Sequence, residues 1–273
     1  MIEIFGYIAA TLMGSTLGLI GGGGSILTVP ILVYLFKIPP VLATAYSLFI
    51  VGLASFFGML GYLKNKLVNF KVGLVFALPS FVGVFTSRKF IMPSLPKELL
   101  HVGSYTLTRD TGILFLFSIM MVIASISMIR AKKPSENENE VKKEISEVKK
   151  ITFIILEGLI VGLLTGLIGA GGGFLVIPVL VMFAKLDMKE AIATSLMIIA
   201  IKSLFGFLGD VGGNQQIDWL FLFGFSVFTI TGALLGSYFS KFVPSDKLKP
   251  IFGWFVLVMG IFILLKEGAF SGH

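Results

Sequence analysis

The sequence has no cysteine and only two histidines. Without thiols there is no disulfide framework and no thiol chemistry. Two histidines leave little from which to build a transition-metal site. Charge is scarce as well. Asp, Glu, Lys and Arg make up 14% of the 273 residues, against about 25% in a soluble domain. There is no His pair and no paired-carboxylate motif, so an enzyme is not expected and no cofactor is implied. The N-terminus carries Glu3 but no basic run ahead of its first apolar stretch. A cleaved signal peptide is therefore not expected, and the stretch reads as a membrane helix.

What is present points to lipid. Hydrophobic residues make up 56% of the chain, with 27 Phe, 32 Gly and a mean hydropathy of +0.97. The sequence reads as an all-α, multi-pass protein of the cell (inner) membrane, with the bilayer as its partner. The net charge of +7 sits mostly in loops between apolar segments, where Lys and Arg set topology. It is not read as a nucleic-acid footprint. The apolar segments run over Ile2–Ile20, Ile26–Phe36, Val41–Tyr62, Val72–Phe90 and Gly112–Ile129. They continue over Thr152–Ile168, Phe174–Ala184, Glu190–Gly209, Trp219–Phe239 and Pro250–Leu265. Between Phe90 and Gly112 lies a longer connection with Pro93, Pro96, His101 and Arg109. Three regions follow: a first membrane repeat over 1–130, a charged cytoplasmic linker over 131–150, and a second repeat over 151–273.

One stretch occurs twice. Gly18-Leu-Ile-Gly-Gly-Gly-Gly-Ser-Ile-Leu-Thr-Val-Pro30 is matched by Gly166-Leu-Ile-Gly-Ala-Gly-Gly-Gly-Phe-Leu-Val-Ile-Pro178. An offset of 148 residues also pairs Gly14 with Gly162, Ala43 with Ala191, Ser47 with Ser195, Ser55 with Ser203 and Gly61 with Gly209. One inserted residue then aligns Val68-Asn-Phe70 with Ile217-Asp-Trp219, and Gly83 with Gly232. Register kept over so long a span is the mark of an internal duplication. Glycine costs a helix about 1 kcal/mol relative to alanine, so four in a row are expected to unwind it. In hydrocarbon, unwound backbone persists only where it is buried in protein or lines a polar cavity. Breaks at matching positions of two halves point to a transporter's binding site. The competing reading is close helix packing through small residues, which asks for spaced glycines rather than adjacent ones.

Each glycine-broken pair either crosses the membrane once or turns back as a re-entrant hairpin. The first case gives parallel halves, the second inverted repeats. Counting Lys and Arg with 64–71 and the linker inside gives 15 inside and 6 outside for inverted halves, but 11 and 10 for parallel ones. The bias of basic loops toward the cytoplasm favours inversion. The two glycine turns would then meet at mid-membrane. Helices starting at Ile26 and Phe174 would aim N-terminal N–H groups at an anion there. The expected substrate-binding residues are Gly21, Gly22, Gly23, Gly24, Ser25, Ser47, Gly169, Ala170, Gly171, Gly172, Gly173, Ser195 and Lys202. Thr28, Thr44 and Thr194 offer further hydroxyls. Lys202 stands alone in an apolar helix and is a site candidate for that reason, unless it snorkels toward the Gly209 end. Glu157 is a candidate for a coupling proton, or it reaches the interface. Gly169-x-Gly imitates a dinucleotide fingerprint, but no strand precedes it.

The two copies of Gly-x-x-Gly-x-Gly-Gly-(Gly/Ser), each followed by proline and by Ala-x-Ala-(Tyr/Thr)-Ser-Leu, resemble the TauE/SafE sulfite exporter family. So do Asn65–Phe70, Gln216–Trp219, Pro96 and Pro244. The resemblance spans nearly the whole chain outside the linker, with a longer loop than usual between Ile91 and Thr111. It implies a permease for sulfite, sulfonates or related small anions, coupled to an ion gradient such as protons or sodium. An anion channel and a non-transporting membrane scaffold are the alternatives. Paired halves without rings of charge speak for alternating access.

Overall fold

The apolar runs form helices, and the computed structural model describes residues 2–102, 105–130, 147–169, 171–182, 184–211, 216–242 and 245–270. The first half holds α1 (Ile2–Ile20), the short α2 (Gly24–Leu35), α3 (Pro40–Leu63), α4 (Phe70–Ser94) and α5 (Arg109–Arg130). The second holds α6 (Glu147–Ile168), the short α7 (Gly173–Met182), α8 (Met188–Phe207), α9 (Trp219–Phe239) and α10 (Ser245–Phe270). Four of these, α3, α4, α8 and α9, are long and apolar enough to cross a bilayer. Residues 131–146 of the charged linker lie outside the described residues. Glu147–Lys150, assigned to that linker from sequence, already belong to α6.

The longer connection after α4 is not irregular throughout. It folds into an antiparallel hairpin of β1 (Glu98–Val102) and β2 (Tyr105–Thr108), pairing His101 with Thr106. Helix α4 also runs past its expected end at Phe90. It passes Pro79 and a π-helical turn at Ser87–Ile91 before stopping at Ser94. Such π turns are rare and frequent at functional positions.

The repeat seen in sequence recurs in the helix ends. Asn69 caps α4, accepting from Val72 N at 3.1 Å, and Asp218 caps α9, accepting from Phe221 N at 3.0 Å. Each cap residue also ties itself to the other half. Asn69 N donates to Thr194 Oγ1 at 3.0 Å, and Asp218 N donates to the Tyr46 hydroxyl at 2.6 Å. The short helices end alike. Phe36 N bonds Ile31 O and Ala184 N bonds Val179 O, both at 3.4 Å. Ile38 N bonds Leu32 O and Leu186 N bonds Leu180 O, both at 3.1 Å. Between these bonds Lys37 and Lys185 take left-handed conformations, with φ of 58° and 55°, which lets the chain turn back over the last carbonyls.

Helices of opposite halves pack on one another. α1 lies along α9 and α6 along α4, while α3 contacts both α8 and α9, α8 contacts α4, and α5 contacts α10. Exchanging the halves maps this set onto itself. The α1–α9 and α6–α4 contacts are close because glycines line them. A side-chain carbon at Gly14 would overlap the Thr229 carbonyl, and one at Gly18 the Ala233 carbonyl. In the second half one at Gly162 would overlap the Ser80 carbonyl. Contacts that rise together in number mean that α1 and α9 run in the same direction. Gly58 beside Ala233 and Gly61 beside Ser237 put α3 in that direction too. Gly206 beside Val84 and Gly209 beside Arg88 align α8 with α4. Between α3 and α8 the order reverses, Gly52 meeting Leu204 and Gly58 meeting Leu196.

Helices α3 and α8 form the centre, with 72% and 78% of their most apolar windows buried, against 39% and 44% for α4 and α9. The outer helices present Leu12, Leu78, Val82, Leu156, Leu220, Val227 and Val258 outward. Large apolar side chains turned outward on so many helices suit hydrocarbon rather than water.

Candidate functional site

Each glycine run breaks a helix with a residue that only glycine adopts easily. Gly21 has φ of 74° and Gly169 has φ of 73°, the left-handed region where a Cβ is penalised. The first run departs from expectation beyond that point. Gly22–Leu27 are not unwound but coil as a tight 3-10 turn leading into α2. The i→i+3 turn keeps its backbone bonded where the second run stays open through Gly171 and Gly172, with φ of 63° and 61°. The start of α7 at Gly173 and of this turn at Gly22 both fall earlier than the sequence placed them.

The two runs meet. Gly22 and Gly173 lie backbone to backbone, so close that a carbon added to either would overlap the other's Cα. A carbon on Gly171 would stand 2.7 Å from Val51 Cγ1 and 3.2 Å from Ser25 Cβ. Ser25 is buried, and its hydroxyl donates to Gly22 O at 2.6 Å. Gly24 is not part of the meeting, since it packs back on Leu17 and Thr16 of α1. Ala170 lies outside the described residues.

One face of each central helix covers the opposite turn. On α8, Ile192 and Ser195 lie against Gly21 and Ile199 against Gly22. On α3, the repeat-related positions are Thr44, against Gly169, and Val51, against Gly171. Ser47, three residues on from Thr44 and four before Val51, shares that face. Ser195 donates to Ile192 O at 2.8 Å, while the buried Ser47 hydroxyl has no hydrogen-bond partner among the described residues.

Lys202 does not snorkel. Its side chain is wholly buried, and its Nζ would be 3.0 Å from a carbon added to Gly172. Its hydrogen bond among the described residues is a long one, 3.5 Å to Thr165 Oγ1, and Thr165 itself donates to Gly162 O at 3.2 Å. A lysine ammonium has three donors and no acceptor. No carboxylate pairs with it among the described ion pairs. Glu157 is not brought to this place. It sits twelve residues before Gly169 on α6, about 18 Å away at helical rise, half-buried, with no hydrogen-bond partner for Oε2 among the described residues.

A second cation near the turns escapes the sequence reading, which counted it as loop charge. Arg88 is 1% exposed, its Nε bonded to Asp210 Oδ2 at 2.7 Å. Its Nη1 donates to Thr44 Oγ1 at 2.9 Å and to Gly166 O at 3.2 Å. Burial pushes the Asp210 carboxyl up, and Arg88 beside it pulls it back down. The signal in sequence was an arginine at the end of an apolar run. Its acidic partner stands 122 residues away, where no local pattern reaches it. Among the described residues there is no cluster of His, Cys, Asp or Glu fit to hold a metal.

Comparison with known proteins places the chain in a family. The profile of the sulfite exporter TauE/SafE family matches residues 7–263. A protein of Xylella fastidiosa (strain 9a5c) described as a "Probable membrane transporter protein" is 25% identical, the alignment covering 94% of this chain and 93% of the relative. The "Probable membrane transporter protein YunE" of Bacillus subtilis is 26% identical, covering 99% and 98%. The "Probable membrane transporter protein MJ0441" of Methanocaldococcus jannaschii is also 26% identical, covering 97% and 95%. No solved structure matches. With its profile matched from the first helix to the last and its relatives membrane transporters throughout their length, the chain belongs to the TauE/SafE family of multi-pass membrane transporters.

Proposed function

We propose that the chain is a secondary transporter of a small anion, sulfite, a sulfonate or a related sulfur oxyanion, working by alternating access. The anion sits where the two glycine turns meet. The observation that carries this reading is Lys202, wholly buried against the second turn and, among the described residues, with one long hydrogen bond and no carboxylate. A cation buried in a membrane helix is costly and is kept where it meets a counter-charge. An anion at the turn supplies that charge. Beside it Gly173 opens α7, whose N-terminal N–H groups favour the same sign. The hydroxyls of Ser25, Ser47, Thr165 and Ser195 lie around the turns.

The two halves are inverted repeats in this reading, and each glycine-broken pair is a re-entrant hairpin. The helix directions support it. α1, α3 and α9 run one way, α4, α6 and α8 run the other, and repeat-related helices point oppositely. If α1 and α3 share a direction, α2 between them must return. The charge count agrees better still once Arg88 is withdrawn from it as a buried side chain. The outside then keeps five basic residues, Lys37, Lys89, Lys97, Arg109 and Lys266, against 15 inside. Rocking of one half against the other would expose the turns to each side in succession. An ion gradient, of protons or sodium, drives the cycle.

Flux of labelled sulfite, thiosulfate, sulfate and short sulfonates into proteoliposomes tests this. Saturable uptake that responds to a proton or sodium gradient is the expected result. Flux that rises linearly and ignores both gradients would make the chain a channel. No flux with any of these anions would make it a scaffold.

A further inference from the structure

The two halves solve one structural problem differently, and the difference carries a charge that the problem does not need. Near the end of α1 the Gly18 carbonyl accepts from the Tyr62 hydroxyl at 2.7 Å. At the matching place on α6 the Gly166 carbonyl accepts from Arg88 Nη1 at 3.2 Å. The repeat offset makes Asp210 the counterpart of Tyr62, and the inserted residue makes Arg88 the counterpart of Ser237. Packing agrees: Gly61 faces Ser237 as Gly209 faces Arg88. The first half thus satisfies its carbonyl with a neutral hydroxyl. The second places a buried guanidinium and a carboxylate in the same spot.

Donor accounting shows what is left over. Arg88 Nε goes to Asp210, and Nη1 goes to Thr44 and Gly166. Nη2 is buried and has no hydrogen-bond partner among the described residues. Asp210 meets the guanidinium through one contact, Nε to Oδ2, rather than as the two-bond fork that arginine and a carboxylate commonly form. A buried charged donor without an acceptor is costly. Thr44 also lies against Gly169, so this guanidinium stands beside the second glycine turn.

We infer that Arg88 is a second substrate-binding residue, which receives an oxyanion through Nε and Nη2, and that Asp210 is the internal competitor holding Nε when no anion is there. The inference rests on the transport reading above and narrows its substrate class. The fork geometry selects ions that offer two oxygens, such as sulfite, sulfate or a sulfonate, over a spherical halide. An arriving anion replaces the carboxylate on Nε and fills the vacant Nη2. When it leaves, Asp210 returns.

The test copies the neutral arrangement of the first half. The double variant Arg88→Ser with Asp210→Tyr rebuilds the Tyr62–Ser237 pair around Gly166. Binding of sulfite, sulfate, ethanesulfonate and bromide is read by thermal shift on purified protein, with Kd from the titration. The double variant is expected to bind the oxyanions about 10-fold or more weakly, the loss of two charge-assisted hydrogen bonds, with bromide affinity unchanged. Asp210→Asn, which keeps Arg88 and disturbs the fold less, is expected to bind oxyanions more tightly than wild type. Oxyanion affinity unchanged in the double variant, or weakened in Asp210→Asn, overturns the inference. Lys202→Met separates the two readings. If it loses binding while the double variant keeps it, the transport site stands and Arg88 is only structural. If wild type binds none of these anions, both fall.

Discussion

Removing the charge of Lys202 should make the empty protein more stable, not less. In Lys202→Met the stem stays apolar and of similar length, so packing within the 0% exposed site changes little. The lost hydrogen bond is the 3.5 Å contact with Thr165, at the edge of what counts as one. What the substitution removes is the desolvation cost of an ammonium without a counter-charge. Exchanging buried charge for apolar side chains of similar volume stabilises by about 1–4 kcal/mol in favourable cases. At about 2–4 °C per kcal/mol for a chain of this size, the melting temperature in detergent should rise by several degrees. Bound anion acts the other way round. At a hundredfold excess over its dissociation constant it stabilises wild type by about 2.7 kcal/mol, and it should do nothing for the variant. The assay is a melt of each protein with and without sulfite, beside uptake in proteoliposomes. A variant that melts below wild type without anion, or that keeps the anion-induced shift, refutes the reasoning, because Lys202 would then be paired within the protein.

Further outcomes follow from the same geometry. Gly22→Ala puts a carbon into the Gly173 backbone, where no rotamer change relieves it, so uptake should fall more than about 10-fold, since misplacing binding groups by an ångström costs that much or more; normal uptake would mean that the turns need not touch. Asn69→Ala and Asp218→Ala each remove a helix cap and should cost about 1 kcal/mol apiece, read as similar drops in melting temperature; a drop in one variant only would break the equivalence of the halves. Burial pushes the Asp210 carboxyl up, so it takes a proton at higher pH than a free aspartate and then no longer competes for Arg88 as an anion. Oxyanion affinity should therefore rise as pH falls through that range, and Asp210→Asn should flatten the profile; a variant profile identical to that of wild type refutes the link.

The parts of this molecule legible in its sequence are those set by near neighbours or by the repeat. The offset aligned Val68-Asn-Phe70 with Ile217-Asp-Trp219, and the structure adds what the match alone did not say, that Asn69 and Asp218 both cap helices. Lys202 stood out because a lysine amid Ala200, Ile201, Leu204 and Phe205 has no local reason to be there. The 3-10 turn over Gly22–Leu27 was not legible, because glycine's low helix propensity is outweighed by packing against Gly173, far along the chain. The ends expected at Phe36 and Ala184 lie within two residues of those of α2 and α7, but the left-handed turns that follow were not foreseen. Lys37 and Lys185 are poor left-handed residues by propensity, and the turn is imposed by bonds such as Ile38 N to Leu32 O. Arg88 was misread because a buried arginine and a loop arginine look alike until the partner is known.

The charge in the second half has a consequence for the electrical behaviour of the cycle. In the proposed site, with Lys202 as an ammonium, two cations, Lys202 and Arg88, stand against the carboxylate of Asp210 among the described residues. Empty, it carries one net positive charge; loaded with a monovalent ion, it carries none. A unit charge crossing the full membrane field exchanges about 2.3 kcal/mol per 100 mV. Voltage would then act on the return of the unloaded protein and leave the loaded passage electrically silent.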